Sequence, residues 1–147
     1  MEIINIKNNL KFLTEYITLC NLEWVGNTLT DKYIEEKMNT IINGDKFIRI
    51  LGLVDNDCLL GFIALYKNDC DERVDLTPWY ASMYVKKEYR NKGYSKLLNE
   101  AILKEASNLG YKKVYLKTNL VNYYEKFGAK YIEKLNNGEK LYYFKLI

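Results

Sequence analysis

The sequence predicts a mixed α/β fold, a central twisted sheet of six to seven strands flanked by helices. Three observations carry this. Strand-like and helix-like stretches follow one another in the order β-α-α-β-β-β-α-β-α-β-β. The strand–helix–strand unit from Trp79 to Thr118 has the length of a parallel crossover, whereas short polar turns at Asp55-Asn56-Asp57 and Asn136-Asn137-Gly138 join antiparallel hairpins. The 147 residues suffice for one core, so residues 1–147 read as a single domain.

The elements follow in order. Residues 3–6 alternate weakly as a first strand. Residues 9–21 carry Leu10, Leu13, Ile17 and Cys20 at helical spacing. Residues 30–42 form a second helix, capped by Thr30 or Asp31 and striped by Ile34, Met38 and Ile41 or Ile42. Residues 47–54 and 59–67 are β-rich and make a hairpin. Residues 69–77 are polar and read as a loop. Pro78 has no N–H to give a ladder and suits a strand start, so Trp79–Val85 is the next strand. Residues 95–109 are the clearest helix, with Leu98, Ala101, Ile102, Ala106 and Leu109 on one face and Gly110 at its end. Lys113–Thr118 is a strand, residues 122–127 a short helix stopped by Gly128, and residues 129–135 and 141–146 the last two strands.

Composition narrows the function. The net charge of +3 comes from 22 basic and 19 acidic residues, too balanced for the basic stripe of a nucleic-acid binder. No apolar run approaches the roughly 20 residues of a membrane span, and the N-terminus lacks a signal-peptide pattern. The expectation is a cytoplasmic protein with neither nucleic-acid nor membrane partner. Cys20, Cys58 and Cys70 are far apart and odd in number, which suits free thiols. Histidine is absent, which excludes a Ser-His-Asp triad, a Cys-His pair and an HExxH zinc site. No metal is expected. Proton transfer falls to carboxylates, tyrosine, lysine, cysteine or water.

One joint stands out. Between the strand ending at Val85 and the helix starting at Ser95 lie Arg90, Asn91, Lys92, Gly93 and Tyr94. The first N–H groups of a helix lack internal partners and carry partial positive charge. Gly93 permits close approach, and Arg90 and Lys92 add charge, so a pyrophosphate would fit. A plain solvated loop fits these residues equally well. Neither a Walker loop nor a GxGxxG fingerprint is present.

The wider stretch, Leu76-Thr77-Pro78-Trp79-Tyr80-Ala81-Ser82-Met83-Tyr84-Val85 followed by Arg90-Asn91-Lys92-Gly93-Tyr94-Ser95, resembles the acetyl-CoA-binding motif of GNAT N-acetyltransferases. That motif is Arg/Gln-x-x-Gly-x-Gly/Ala after a strand with an apolar end. Tyr124-Glu125-Lys126-Phe127-Gly128, preceded by Tyr123, resembles the family's second signature, in the family's order. Ser95 departs from the usual Gly or Ala and would crowd the pyrophosphate, donate to it or cap the helix. Ala129 departs from the usual Phe. Motifs carry the resemblance from Trp79 onward; residues 3–65 share only the order of elements.

The resemblance implies an enzyme moving the acetyl group of acetyl-CoA to a primary amine of a small molecule or peptide by direct attack in a ternary complex. The alternative is a CoA-binding module of the same fold without catalysis. It also implies that the parallel strands Trp79–Val85 and Lys113–Thr118 splay apart around the pantetheine. Met83, Tyr84 and Val85 would face that arm, and the N–H groups from Asn91 to Ser95, with Arg90, would hold the pyrophosphate. Asn119 is a further contact or a local cap. Homodimers are common in the family.

Tyr124 is the implied general acid, able to protonate the leaving thiolate; its alternative is a packed ring among 14 tyrosines. Asp75 and Glu72, just before the Trp79 strand, are candidates to deprotonate or bind the amine, against the alternative of a solvated acidic loop. Trp24, with Glu23, lines the acceptor pocket or belongs to the core.

Overall fold

In the computed structural model, which describes residues 1–147, the chain runs β1 (Glu2–Asn5), α1 (Leu10–Cys20), α2 (Asp31–Asn43), β2 (Phe47–Asp55), β3 (Cys58–Tyr66), β4 (Trp79–Val85), α3 (Tyr94–Asn108), β5 (Lys113–Thr118), β6 (Lys130–Lys134) and β7 (Lys140–Lys145). The strands form one sheet in the order β1-β2-β3-β4-β5-β7-β6. Only β4 and β5, joined through α3, are parallel; every other neighbouring pair is antiparallel. This is the mixed sheet that the order of elements predicts.

Local chemistry sets the boundaries. The Asn9 side chain accepts from the N–H of Phe12 to start α1, and Thr30 accepts from that of Tyr33 to start α2. The β2–β3 turn is made by Asn56 and Asp57, both at positive φ (50° and 62°), the geometry that matches strand twist. Two details differ from the expectation. The short helix reduces to one 3-10 turn, Tyr124–Phe127, bracketed by Asn122 and Gly128 at positive φ. And α1 continues into a wider π-turn, Asn21–Val25, closed by Gly26 at φ 80°. Asn21 clamps that turn: its buried amide donates to the Asn27 carbonyl (2.7 Å) and accepts from the Asn27 N–H (3.0 Å).

The sheet is buried on both faces, which is why β2 and β3 read as nearly continuous apolar runs. Ile50, Val54, Leu59 and Phe62 pack with Phe12, Leu13, Tyr16 and Ile17 of α1 and Ile41 of α2. Leu51, Leu53, Leu60 and Leu65 pack with Leu98, Ile102 and Ala106 of α3. A third cluster joins Cys70, Trp79, Leu135 and Leu141. No helix is long and apolar enough to cross a membrane.

The feature that positions the site is in β4. Phe62 of β3 lies opposite Tyr84, but Ala64 lies opposite Ala81, so β4 carries one extra residue as a bulge. Ser82, inside the bulge, has φ 56°. On the other side β4 meets β5 only at Trp79↔Tyr115. Beyond that pair the two strands diverge.

Gly61 holds β3 against the far end of β4. It lies opposite Val85, and a Cβ there would sit 2.6 Å from the Tyr84 carbonyl oxygen and 3.2 Å from Leu98 Cδ1. Gly61→Ala should therefore push the two strands apart and cost about 1–3 kcal/mol, the usual range for overpacking. Thermal denaturation checks this: the melting temperature should fall by several degrees, and an unchanged value would contradict the packing described.

Candidate functional site

Two cavities lie along β4. The first, of about 400 Å³, is bounded by Met83, Tyr84 and Val85 and by Arg90, Asn91, Gly93, Tyr94 and Ser95 where the chain enters α3. Tyr123 and Lys126 line it from the 3-10 turn, and Glu23 and Trp24 from the π-turn. The second, of about 380 Å³, is bounded by Tyr80, Ala81, Ser82 and Met83, by Leu116 and Lys117 of β5, and by Tyr66, Asp69, Tyr124 and Glu139. Met83 and Trp24 line both. The neighbouring residues Tyr123 and Tyr124 line one each, with their rings 4.8 Å apart.

The first cavity suits an anion. Gly93 caps α3 at φ 81°, Asn91 before it has φ 64°, and no side chain bonds the helix start. Ser95 therefore does not cap the helix. A Cβ on Gly93 would meet no protein atom within 4 Å, so the loop leaves open space beside free N–H groups. Arg90 Nε donates to the Val85 carbonyl (2.8 Å), and its guanidinium lies 5.5 Å from the centre of the Tyr84 ring. Lys126 Nζ lies 4.2 Å from the centre of the Tyr123 ring. Two cations thus face one carboxylate, Glu23, across this cavity.

The second cavity is rich in hydroxyls. Tyr66 Oη and Ser82 Oγ share a 2.7 Å hydrogen bond, and Tyr16 Oη joins Tyr66 at 3.2 Å. The buried Tyr80 hydroxyl has no partner, and its ring meets Tyr124 edge-on at 5.7 Å. Burial, and then the neighbouring Tyr123, push the Tyr124 phenol up to about 12. It is therefore fully protonated at neutral pH. Asp69, half-buried, has its carboxyl raised by burial, with Lys117 and Lys46 opposing and Glu139 adding.

Comparison with known proteins decides the family. Residues 13–129 match the family described as Acetyltransferase (GNAT) family. The chain belongs to the GNAT acetyltransferases. It is thus a member of a family of N-acetyltransferases. Solved structures share its fold end to end. Aminoglycoside 6'-acetyltransferase type Ii is 23% identical with a TM-score of 0.73, over 100% of this chain and 98% of that one. An aminoglycoside 6'-N-acetyltransferase complexed with coenzyme A is 20% identical with a TM-score of 0.76, over the same shares. PaiA N-acetyltransferase from Thermoplasma acidophilum in complex with coenzyme A is 20% identical with a TM-score of 0.64, over 99% of each chain. No curated protein matches this acetyltransferase.

The expected site residues distribute as follows. Met83, Tyr84, Val85, Arg90, Asn91, Gly93, Tyr94 and Ser95 line the first cavity. Lys92 does not; its ammonium lies over the Tyr89 ring at 5.9 Å. Asn119 follows β5, exposed, and lines neither cavity. Tyr124 lines the second cavity. Trp24 is 52% exposed and lines both, so it is not a core residue.

Asp75, expected at the acceptor, lies outside both cavities. Arg73 holds its carboxylate through two 3.1 Å hydrogen bonds and keeps it below the usual carboxylate range. Glu72 accepts from the Asn136 N–H at 2.9 Å. These two acids tie the β3–β4 loop down instead of facing the cavity. Asp69, Tyr80, Tyr123 and Lys126 line the cavities without having been assigned a role from sequence. Tyr123 and Lys126 stood within the second signature. Nothing in the acidic run marked Asp69 apart from its neighbours.

The tyrosines make the protein sensitive to alkali in a defined direction. Tyr124, Tyr66 and Tyr16 are all raised by burial, so the folded state keeps protons that the unfolded state loses near pH 10. Their stabilisation is full below about pH 10 and is lost as pH rises through their folded values. Denaturant titrations at pH 8, 10 and 11 should show stability falling over the last interval, and less steeply in Tyr124→Phe. Equal slopes would contradict the burial of that phenol.

Proposed function

We propose that this acetyltransferase moves the acetyl group of acetyl-CoA to a primary amine of a small molecule or peptide, in a ternary complex, with the donor in the first cavity and the amine in the second. The observation that carries this reading is that the two cavities meet at Met83 and Trp24, with Tyr124 beside the junction. Direct attack needs such adjacency, because both reactants must be held together in one orientation.

The residues of the first cavity fit the donor. The uncapped start of α3, Arg90 and Lys126 suit its pyrophosphate. After the Trp79↔Tyr115 pair, the β5-facing main chain of β4 has no strand partner and can bond the amides of the pantetheine arm. Two structural neighbours of the same fold were solved with coenzyme A. When bound, acetyl-CoA supplies the activated thioester. Tyr124 then acts on the departing sulfur: its phenol is protonated at neutral pH, and the dry wall that raises it also raises the basicity of a thiolate placed beside it. Aminoglycosides, named for two of the neighbours, are the first acceptors to test. A cytoplasmic setting suits three free cysteines and a CoA thioester substrate.

Acetyl transfer measured over a panel of primary amines tests this reading. The wild type should turn over with at least one amine. Tyr124→Phe keeps the ring and removes only the hydroxyl, so kcat should fall by about 10² to 10⁴ while CoA affinity and melting temperature hold. A wild-type kcat in the variant, with chemistry limiting, would remove the acid role. CoA binding without turnover of any amine would return the chain to the non-catalytic alternative.

A further inference from the structure

The second cavity contains two carboxylates, and they differ. Glu139 accepts from Asn137 Nδ2 at 2.8 Å. Asp69 has neither a hydrogen bond nor a salt bridge, although it is half-buried. Of the other acids near this loop, Asp45 pairs with Lys67, Asp75 and Glu133 pair with Arg73, and Glu72 accepts from the Asn136 N–H, while Asp71 is unpaired but exposed and lines neither cavity. The Asp69 carboxylate is thus free to receive a cation that enters the second cavity.

Asp69 is also held firmly in place. Cys70, the next residue, is buried against Trp79, Leu135 and Leu141. The rest of the loop is pinned to the β6–β7 hairpin through Glu72 and through Arg73, which bridges Asp75 and Glu133. The unpaired carboxylate is therefore presented by a fixed loop into the cavity that Tyr124 also lines.

We infer that Asp69 receives the acceptor, binding the amine as its ammonium ion and taking the proton that the nitrogen must lose before it attacks. The inference rests on the reading above, in which the amine enters the second cavity. The balance is as follows. The ammonium gives one proton to the Asp69 carboxylate. The free nitrogen forms its bond to the acetyl carbon as the carbon–sulfur bond breaks. The sulfur takes the Tyr124 proton, and the second nitrogen proton passes to solvent, from which Tyr124 is reprotonated. Asp69 releases its own proton to solvent, leaving a net loss of one proton per transfer.

The groups facing Asp69 set its working range. Lys117 on β5 and Lys46 before β2 favour the carboxylate, while burial and Glu139 disfavour it. Tyr66 on β3 and Tyr124 are neutral at working pH, their phenols being raised. Burial raises the acid above an ordinary aspartate while Lys117 and Lys46 hold it towards the carboxylate, and at neutral pH an alkyl amine of pKa about 10.4 is protonated. The pair that the proposal requires is carboxylate and ammonium.

The test is the pH dependence of kcat/KM for an amine that the wild type acetylates, in the wild type, Asp69→Asn and Asp69→Glu. The wild type should be flat across the neutral range. Asp69→Asn should lose on the order of 10² to 10⁴ at pH 7. Its remaining rate should climb about tenfold per pH unit towards the pKa of the free amine, because only the neutral amine can then react. Asp69→Glu keeps the charge and should recover the flat profile with part of the rate. CoA affinity and melting temperature should be unchanged in both variants, since Asp69 bonds nothing in the protein. A flat, wild-type profile in Asp69→Asn would overturn the inference while leaving the acetyltransferase reading intact. Failure of the wild type to acetylate any amine would instead strike that reading.

Discussion

The site depends on one broken partnership, that between β4 and β5. Parallel strands normally stay paired along their length. Here the ladder closes at Trp79↔Tyr115, and the extra residue at Ser82–Met83 turns β4 away from the line that β5 follows. The opening leaves the β5-facing main chain of β4 without a neighbour in the middle of an otherwise continuous sheet. An exposed ladder edge of that kind is a liability unless a ligand uses it. Both cavities border the bulge, and Met83 belongs to both.

The rest of the fold keeps that gap open and furnishes its ends. Gly61 lets β3 grip β4 beyond the bulge, so the divergence is taken up on the β5 side. The loop after β4 leads into α3, bringing uncapped N–H groups to one end of the gap. The clamped π-turn carries Trp24 across from the other side, where its ring meets Tyr84 edge-on at 6.2 Å. The loop before β4 is stapled by Arg73 and Glu72, and that stapling is the service Asp75 performs.

Much of this was legible in the sequence, for reasons that differ by element. The strands and α3 were readable because their apolar periods are long and uninterrupted, and Trp79–Val85 and Lys113–Thr118 were bounded correctly by Pro78 and by turn residues. The anion end of the site was readable because it is local: strand end, basic loop, glycine and helix start are contiguous. The second cavity is built from Tyr66, Asp69, Lys117, Tyr124 and Glu139, which meet only after four separate segments fold together. Within the loop, Asp69 and Asp75 look alike as letters. What separates them is that Arg73 captures one, while the other, half-buried, has no partner and lines the second cavity. The π-turn was invisible because it continues the helical pattern of α1 and differs only in width.

Amide hydrogen exchange with and without coenzyme A tests most directly whether the gap between β4 and β5 is the donor site. Exchange should slow on addition of coenzyme A in Met83–Val85, whose β5-facing main-chain groups lack a strand partner, and in residues 91–95 at the start of α3. It should stay the same at Trp79 and Tyr115, which are already paired. Unchanged exchange at Met83–Val85, with protection arising elsewhere on the protein, would contradict the account.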